Sequence, residues 1–245
     1  MIIGVPKEIK NHEYRVGLVP ASVRELTARG HKVVIETQAG AGIGLDDLAY
    51  IQAGASIVLN AQQVYENAQL IVKVKEPQAS EYAWIQAHHT LFTYLHLAAD
   101  PQQTEALLAS GALCIAYETV TDKFGGLPLL APMSEVAGRF SIQAGAQALE
   151  RTHQGSGMLL GGVPGVAPAK VTILGGGVVG SNAAQMALGL GANVSILDKN
   201  LQVLRQLNKQ FGRQVNLILA TEETLDKYIT QANLVIGGVL IPGAS

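Results

Sequence analysis

The chain holds 245 residues, 48% of them apolar, with one cysteine and a formal net charge of −2. That length accommodates one large or two medium domains around a substantial core. Near-neutral charge without a clustered Lys/Arg run argues against a nucleic-acid partner, and no apolar stretch reaches the roughly 18 residues of a membrane span.

The opening MIIGVPKE reads as a short apolar strand followed by charge, not as the basic region and long apolar core of a secretory signal. Predicted strands at 2–5, 32–36, 56–58, 70–74 and 113–117 alternate with helices at 21–29, 45–52, 61–66 and 102–110, which is α/β patterning. Asp100-Pro101 supplies a helix start before 102–110, and Gly111 a stop after it. Cys114 lies in the apolar run 112–117; it reads as a buried, reduced core thiol, consistent with a cytoplasmic protein.

Several polar residues interrupt this first half at strand ends and loops. Arg15, in NHEYRVGLVP, is either an exposed loop residue or a guanidinium placed to fork onto a carboxylate. Lys73 and Lys75 alternate at the end of the strand 70–74, which puts both on one face near the edge where α/β proteins bind ligands. Lys75 is nearer the strand end, but spacing does not exclude Lys73. His96 is expected to end another apolar strand, in LFTYLHLAAD, with Tyr94 two residues earlier on the same face. A histidine in such a run is often a satisfied core residue, but a group of polar side chains at strand ends suits proton-transfer chemistry. His12, His88, His89 and His153 are scattered without ligand spacing, so no metal site is expected. The chain also lacks a G-x-S-x-G elbow.

Residues 132–153 form a long helical pattern that opens with Ser134 as a natural N-cap and is expected to join two domains. The Gly- and Pro-rich stretch 154–168 reads as a connecting loop. The expected division is 1–131 as a substrate or catalytic domain, 132–153 as connecting helix and 154–245 as a nucleotide-binding domain, giving an α/β protein with two Rossmann-like, mainly parallel sheets.

Residues 170–198 read as strand, glycine turn, helix and second strand. Gly175, Gly177 and Gly180 satisfy G-x-G-x-x-G directly after an apolar run, and Asp198 closes the next one. Gly175 permits the tight turn, Gly177 lets backbone approach a pyrophosphate, and Gly180 allows close helix–strand packing. Asp198 can accept from ribose hydroxyls and would repel a 2′-phosphate, so NAD is favoured over NADP, a preference the adjacent Lys199 weakens slightly. Helix 201–211, strand 215–219, helix 222–230 and strand 234–238 continue the alternation. The chain stops after the fourth strand of a sheet that usually has about six, which suggests a fragment of a longer protein.

Taken together, GVPKEIKNHEYRVGLVP, KVKEP, FTYLHLAAD, APMSEVAGR and ILGGGVVGSNAA resemble the corresponding blocks of bacterial L-alanine dehydrogenases, over the whole chain from Met1 to VLIPGA. The opening and glycine-loop blocks are shared with the transhydrogenase alpha subunit; KVKEP with FTYLHLAAD is more typical of alanine dehydrogenase. The resemblance implies a hexameric, NAD-dependent enzyme interconverting L-alanine with pyruvate and ammonium. It implies that Arg15 and Lys75 hold the carboxylate and carbonyl of pyruvate, with Tyr94 and Met133 beside the substrate and His96 as general acid/base. It further places Ser134 at the cofactor pyrophosphate, Val178 and Val179 at the loop's approach, Asp198 at the adenine ribose and Val239 under the cofactor.

The chain departs from the family in three respects. Val203 stands where a basic residue is common, and Ala220 replaces a frequent serine. The family also continues past Ser245 with a catalytic Asp and the segment that completes the first domain, so residues 1–245 alone are expected to turn over weakly or not at all. The competing expectations are a transhydrogenase nucleotide-binding subunit with a membrane partner, or an inactive NAD-binding fragment.

Overall fold

The computed structural model describes residues 1–239 and divides into two compact units, with the boundary between Leu129 and Leu130. Each is an α/β unit built on a parallel sheet.

The first unit carries strands β1 (Ile2–Val5), β2 (Lys32–Glu36), β3 (Ser56–Val58), β4 (Leu70–Val72), β5 (Thr90–Thr93) and β6 (Leu113–Ala116). Helices α1 (Pro20–Ala28), α2 (Asp47–Gln52), α3 (Ala61–Asn67) and α4 (Pro101–Ser110) lie between them in the chain. The sheet order is β3-β2-β1-β4-β5-β6 and every pairing is parallel. Strands covered on both faces read as unbroken apolar runs, and β2 shows this with Val33, Val34 and Ile35 all buried. Val5, Val23, Ile35 and Tyr50 belong to one core cluster, and Val64, Tyr65, Ile71 and Leu91 to another.

Helix starts follow local capping chemistry. Asp46 accepts from the Ala49 N–H, Asn60 from the Gln63 N–H and Asp100 from the Gln103 N–H, each satisfying an orphan donor of the first turn. Pro101 occupies the first turn of α4, and Gly111 ends it in the left-handed region at φ 68°. Cys114 is half-buried, with its thiol pushed above the ordinary range by burial, as suits an unreactive core group.

His89 is buried against Tyr65. Its Nδ1 accepts the Gln86 N–H at 3.0 Å and its Nε2 lies 2.9 Å from the Tyr65 carbonyl, which fixes the neutral tautomer with the proton on Nε2. Burial holds this imidazole below its ordinary range. On acidification the unfolded chain therefore takes up a proton near pH 6.5 before the folded one does, and stability falls as pH drops below that value. A His89→Gln variant keeps one acceptor and one donor but does not titrate; its melting temperature should fall less steeply than the wild type's below about pH 6.5. Parallel curves would contradict this.

The second unit carries α5 (Ala131–Ala148), β7 (Lys170–Leu174), α6 (Val178–Gly189), β8 (Asn193–Asp198), α7 (Leu201–Phe211), β9 (Val215–Leu219), α8 (Glu222–Thr230) and β10 (Leu234–Gly237). Its sheet runs β10-β7-β8-β9, all parallel. The helix predicted to join two domains lies wholly within this unit. It packs on α6 through Gly138, where an added Cβ would strike the Val179 carbonyl oxygen, and through Gly145 against Leu234. It also begins earlier than expected. Pro132 needs no N–H partner in a first turn, so the helix opens there, Leu130 holds the N-cap position, and Ser134 lies inside the first turn.

Candidate functional site

In the first unit the sheet order reverses between β1 and β4, and open α/β sheets bind ligands beyond the carboxyl ends of strands at such a point. The segments that leave β1, β4 and β5 there carry Arg15, Lys75, Tyr94 and His96.

Strand β4 stops at Val72, two residues short of the predicted end. The Val74 N–H turns to the Glu8 carboxylate, Oε1 at 2.6 Å, instead of continuing the ladder. The Lys73 N–H still reaches the Phe92 carbonyl at 3.2 Å, but the surroundings of Lys73 and Lys75 differ. Lys73 is fully buried between Glu8 (3.3 Å) and Glu81 (3.1 Å), whereas Lys75 is half-buried. The Lys75 carbonyl accepts the Thr93 hydroxyl at 2.8 Å.

Arg15 is clamped by Glu13: Nε donates to Oε1 at 2.8 Å and Nη2 to Oε2 at 2.6 Å, a two-point fork that fixes the guanidinium plane. The hydrogen bonds from Arg15 hold the Glu13 carboxyl below its ordinary range, with the Lys75 charge adding to the effect. Arg15 in turn opposes the rise that burial imposes on the Tyr94 hydroxyl, which donates to the Leu129 carbonyl at 2.5 Å. The Tyr94 and His96 rings stack with centroids 6.1 Å apart and planes within 13°. The Tyr94–His96 pair, the Glu13-clamped Arg15 and the Lys75 charge that acts on Glu13 thus gather two cations, a phenol and an imidazole at this end of the sheet.

β5 ends at Thr93, so His96 lies past the strand rather than closing it. It is exposed and sits in the left-handed region at φ 49°, a strained position for a non-glycine residue. Glu118 holds it there, accepting the His96 N–H at 2.7 Å and the Leu95 N–H at 3.1 Å. Glu13 and Glu118 were not singled out in the sequence. The readable signal was a carboxylate two residues before Arg15 and another beyond the apolar run 113–117.

In the second unit the glycine turn lies between β7 and α6. Gly175 has φ 92°, and a Cβ there would press on the Gly238 carbonyl at 2.8 Å. Gly180 abuts the Gly175 carbonyl oxygen so closely that no side chain fits. Gly177 is the opposite case: a Cβ would meet nothing within 4 Å, so this face of the α6 N-terminus is open. First-turn N–H groups of a helix lack intrahelical partners and attract anions. Asp198 accepts the Gly176 N–H on Oδ2 and the Asn200 N–H on Oδ1, both at 2.7 Å, which orients its carboxylate at the end of β8. An open helix terminus beside an oriented carboxylate fits a diphosphate and a ribose diol.

Val178 and Val239 are exposed and Val179 half-buried around this turn, while Met133 and Ser134 occupy the first turn of α5. Val203, where a basic residue is common in the family the sequence resembles, is partly buried and packs between the glycine turn and the core. Ala220 donates its N–H to the Asp198 carbonyl at 3.0 Å. Among the described residues no cluster of three or more His, Cys, Asp or Glu could hold a metal ion, and no helix is long and apolar enough to cross a membrane.

Residues 4–137 match the family described as alanine dehydrogenase/PNT, N-terminal domain, and residues 141–245 its C-terminal domain. The alanine dehydrogenase of Halomonas elongata is 54% identical over the whole chain, which spans 66% of that protein. A solved L-alanine dehydrogenase superposes with a TM-score of 0.92 at 54% identity, covering 99% of this chain and 67% of its own. A transhydrogenase from Sinorhizobium meliloti superposes with a TM-score of 0.82 at 25% identity, covering 100% of this chain and 71% of its own.

Proposed function

The chain belongs to the alanine dehydrogenase/PNT family, and from that premise we propose that it carries the substrate-holding and NAD-binding parts of an enzyme interconverting L-alanine with pyruvate and ammonium. The observation that carries this reading is the group formed by Arg15, Lys75, Tyr94 and His96 at the switch point of the first sheet. On this reading the Arg15 guanidinium, its plane set by Glu13, forks onto the substrate carboxylate. The Lys75 ammonium donates to the carbonyl oxygen and draws electron density from the carbon that ammonia attacks. His96 moves the protons as that oxygen leaves as water in one direction and as water adds in the other. Tyr94 supports the imidazole face.

NAD, when bound, supplies the hydride acceptor, and NADH the donor. Gly175, Gly177, Val178, Val179 and Gly180 would form its pyrophosphate turn, Ser134 would contact the pyrophosphate, Asp198 would take the ribose diol and Val239 would lie beneath it. The enzyme is taken as a cytoplasmic homo-oligomer, hexameric by resemblance.

The identity of 54% to alanine dehydrogenases, against 25% to the transhydrogenase, favours the amino-acid reaction over hydride exchange between dinucleotides. The test is NADH oxidation with pyruvate and ammonium, set beside hydride transfer to a second dinucleotide without them. Weak oxidation, in line with the low turnover expected of residues 1–245, that depends on both pyruvate and ammonium and is lost in Lys75→Ala is the expected result; dinucleotide exchange alone would refute the reading.

A further inference from the structure

Glu8 takes no part in the reading above, yet its carboxylate grips the substrate lysine and the two residues before it. Oε2 lies 3.3 Å from Lys73 Nζ, and Oε1 accepts the Val74 N–H at 2.6 Å and the Lys75 N–H at 3.3 Å. Lys73 Nζ is shared with Glu81 Oε1 at 3.1 Å. Glu81 is anchored in turn by the Tyr65 hydroxyl at 3.1 Å and the Gln78 N–H at 2.8 Å. The side chains of Lys73, Glu8 and Glu81 are 0%, 2% and 1% exposed.

A charge triad buried this deeply gains little over apolar packing, because desolvation offsets most of the Coulomb attraction. What it supplies here is geometry. Past Lys73, whose N–H still reaches the Phe92 carbonyl, the chain leaves the regular ladder, and buried backbone groups need partners from elsewhere. For Lys75 these are side chains: Glu8, following β1, takes the N–H, and the buried Thr93 of β5 donates to the C=O. The lysine backbone is thus clamped on both sides, and Lys73 with Glu81 fixes the carboxylate that forms one jaw.

We propose that Glu8 is a positioning residue, locked by Lys73 and Glu81, that sets the Lys75 ammonium against the carbonyl oxygen of a 2-oxo acid. The inference rests on the reading of Lys75 as the oxo-acid ligand. Glu8 itself does not touch substrate; it acts through the backbone of residues 74 and 75.

The test measures pyruvate dissociation constants on the full chain by calorimetry, together with the rate of reductive methylation of the Lys75 amine, read by peptide mass spectrometry. Four variants are compared with wild type: Lys75→Ala, Glu8→Leu/Lys73→Met, Glu8→Gln/Lys73→Met and Glu8→Asp. Lys75→Ala and Glu8→Leu/Lys73→Met should each weaken pyruvate binding about tenfold or more, as small misplacements of binding groups do. In Glu8→Gln/Lys73→Met the amide oxygen can still accept both N–H groups although the Lys73 lock is gone, so pyruvate affinity and the methylation rate should rise well above those of Glu8→Leu/Lys73→Met without reaching wild type. A purely structural role would not produce that recovery. Glu8→Asp keeps the charge balance but withdraws the acceptor by one methylene; it should fold and bind pyruvate severalfold more weakly, and it carries the test should the Leu/Met pair not fold. Wild-type affinity in Glu8→Leu/Lys73→Met or in Glu8→Asp, with Lys75→Ala impaired, overturns the proposal and leaves the role of Lys75 standing. Unchanged affinity in Lys75→Ala overturns both.

Discussion

A Gly180→Ala variant should lose NADH binding and show a lower melting temperature for the second unit. The added methyl would strike the Gly175 carbonyl oxygen, and it would also lie 3.0 Å from the Gly175 carbonyl carbon and 3.2 Å from Ile173 Cγ2. The turn has nowhere to retreat. Gly175 is tied by its N–H to the Leu197 carbonyl at 2.8 Å, and its Cα faces the Gly238 carbonyl across a gap already too small for a Cβ. Overpacking of this kind costs about 3 kcal/mol, against roughly 1 kcal/mol returned by the better helix propensity of alanine. Gly177→Ala is the paired control. Its φ of −70° is ordinary and its Cβ meets nothing, so stability should stay within about 0.5 kcal/mol of wild type while NADH affinity falls. Circular dichroism melting and NADH fluorescence titration separate the two effects. Equal melting and equal affinity in Gly180→Ala would mean that the α6 terminus can move away from the turn.

His96→Ala should abolish the weak pyruvate amination expected of residues 1–245, since positioned acid/base catalysis contributes about 10²- to 10⁴-fold, with little change in melting temperature. The imidazole is exposed, so its removal leaves no core cavity. Its backbone is the complicating factor, since a residue at φ 49° could relax once substituted and shift Tyr94 with it. Asparagine tolerates the left-handed region better than most residues, and Glu118 would still hold the same N–H. His96→Asn therefore separates the two causes: it should lose as much turnover as His96→Ala if proton transfer is what matters. Retained turnover in His96→Asn would assign the effect to loop geometry and remove His96 from the chemistry.

The architecture was largely legible because both sheets are parallel and their inner strands are covered, so those strands announce themselves as apolar runs and most helices by capping or periodicity. β9, α7 and α8 fall on their expected bounds. The misplacements cluster at the site. β4 and β5 end earlier than the hydrophobic pattern suggests, since Val74 and Leu95 are buried outside the ladder and give their N–H groups to Glu8 and Glu118. A run of apolar letters cannot distinguish a buried strand residue from a buried loop residue satisfied by a distant carboxylate. The same limit hid Glu8, Glu13 and Glu118, whose partners depend on tertiary approach. Lys73 and Lys75 looked equivalent by spacing, and only the burial of Lys73 between two carboxylates separates their surroundings. Ser134 failed as a cap because a proline two residues earlier opened the helix first.

The placement of β10 beside β7 governs how the second unit can be assembled on the ribosome. β7, β8 and β9 pair in order of synthesis, but β10 must cross back to register Leu234 against Val171, and Gly238 then bonds to Leu174 at 2.7 Å. The glycine turn thus acquires its second wall only after β10 has emerged. Until then a nascent chain exposes one unpaired edge of β7, the edge most open to mispairing with a neighbouring polypeptide. A stalled or truncated translation product ending before Leu234 should therefore aggregate rather than accumulate as a soluble three-strand intermediate.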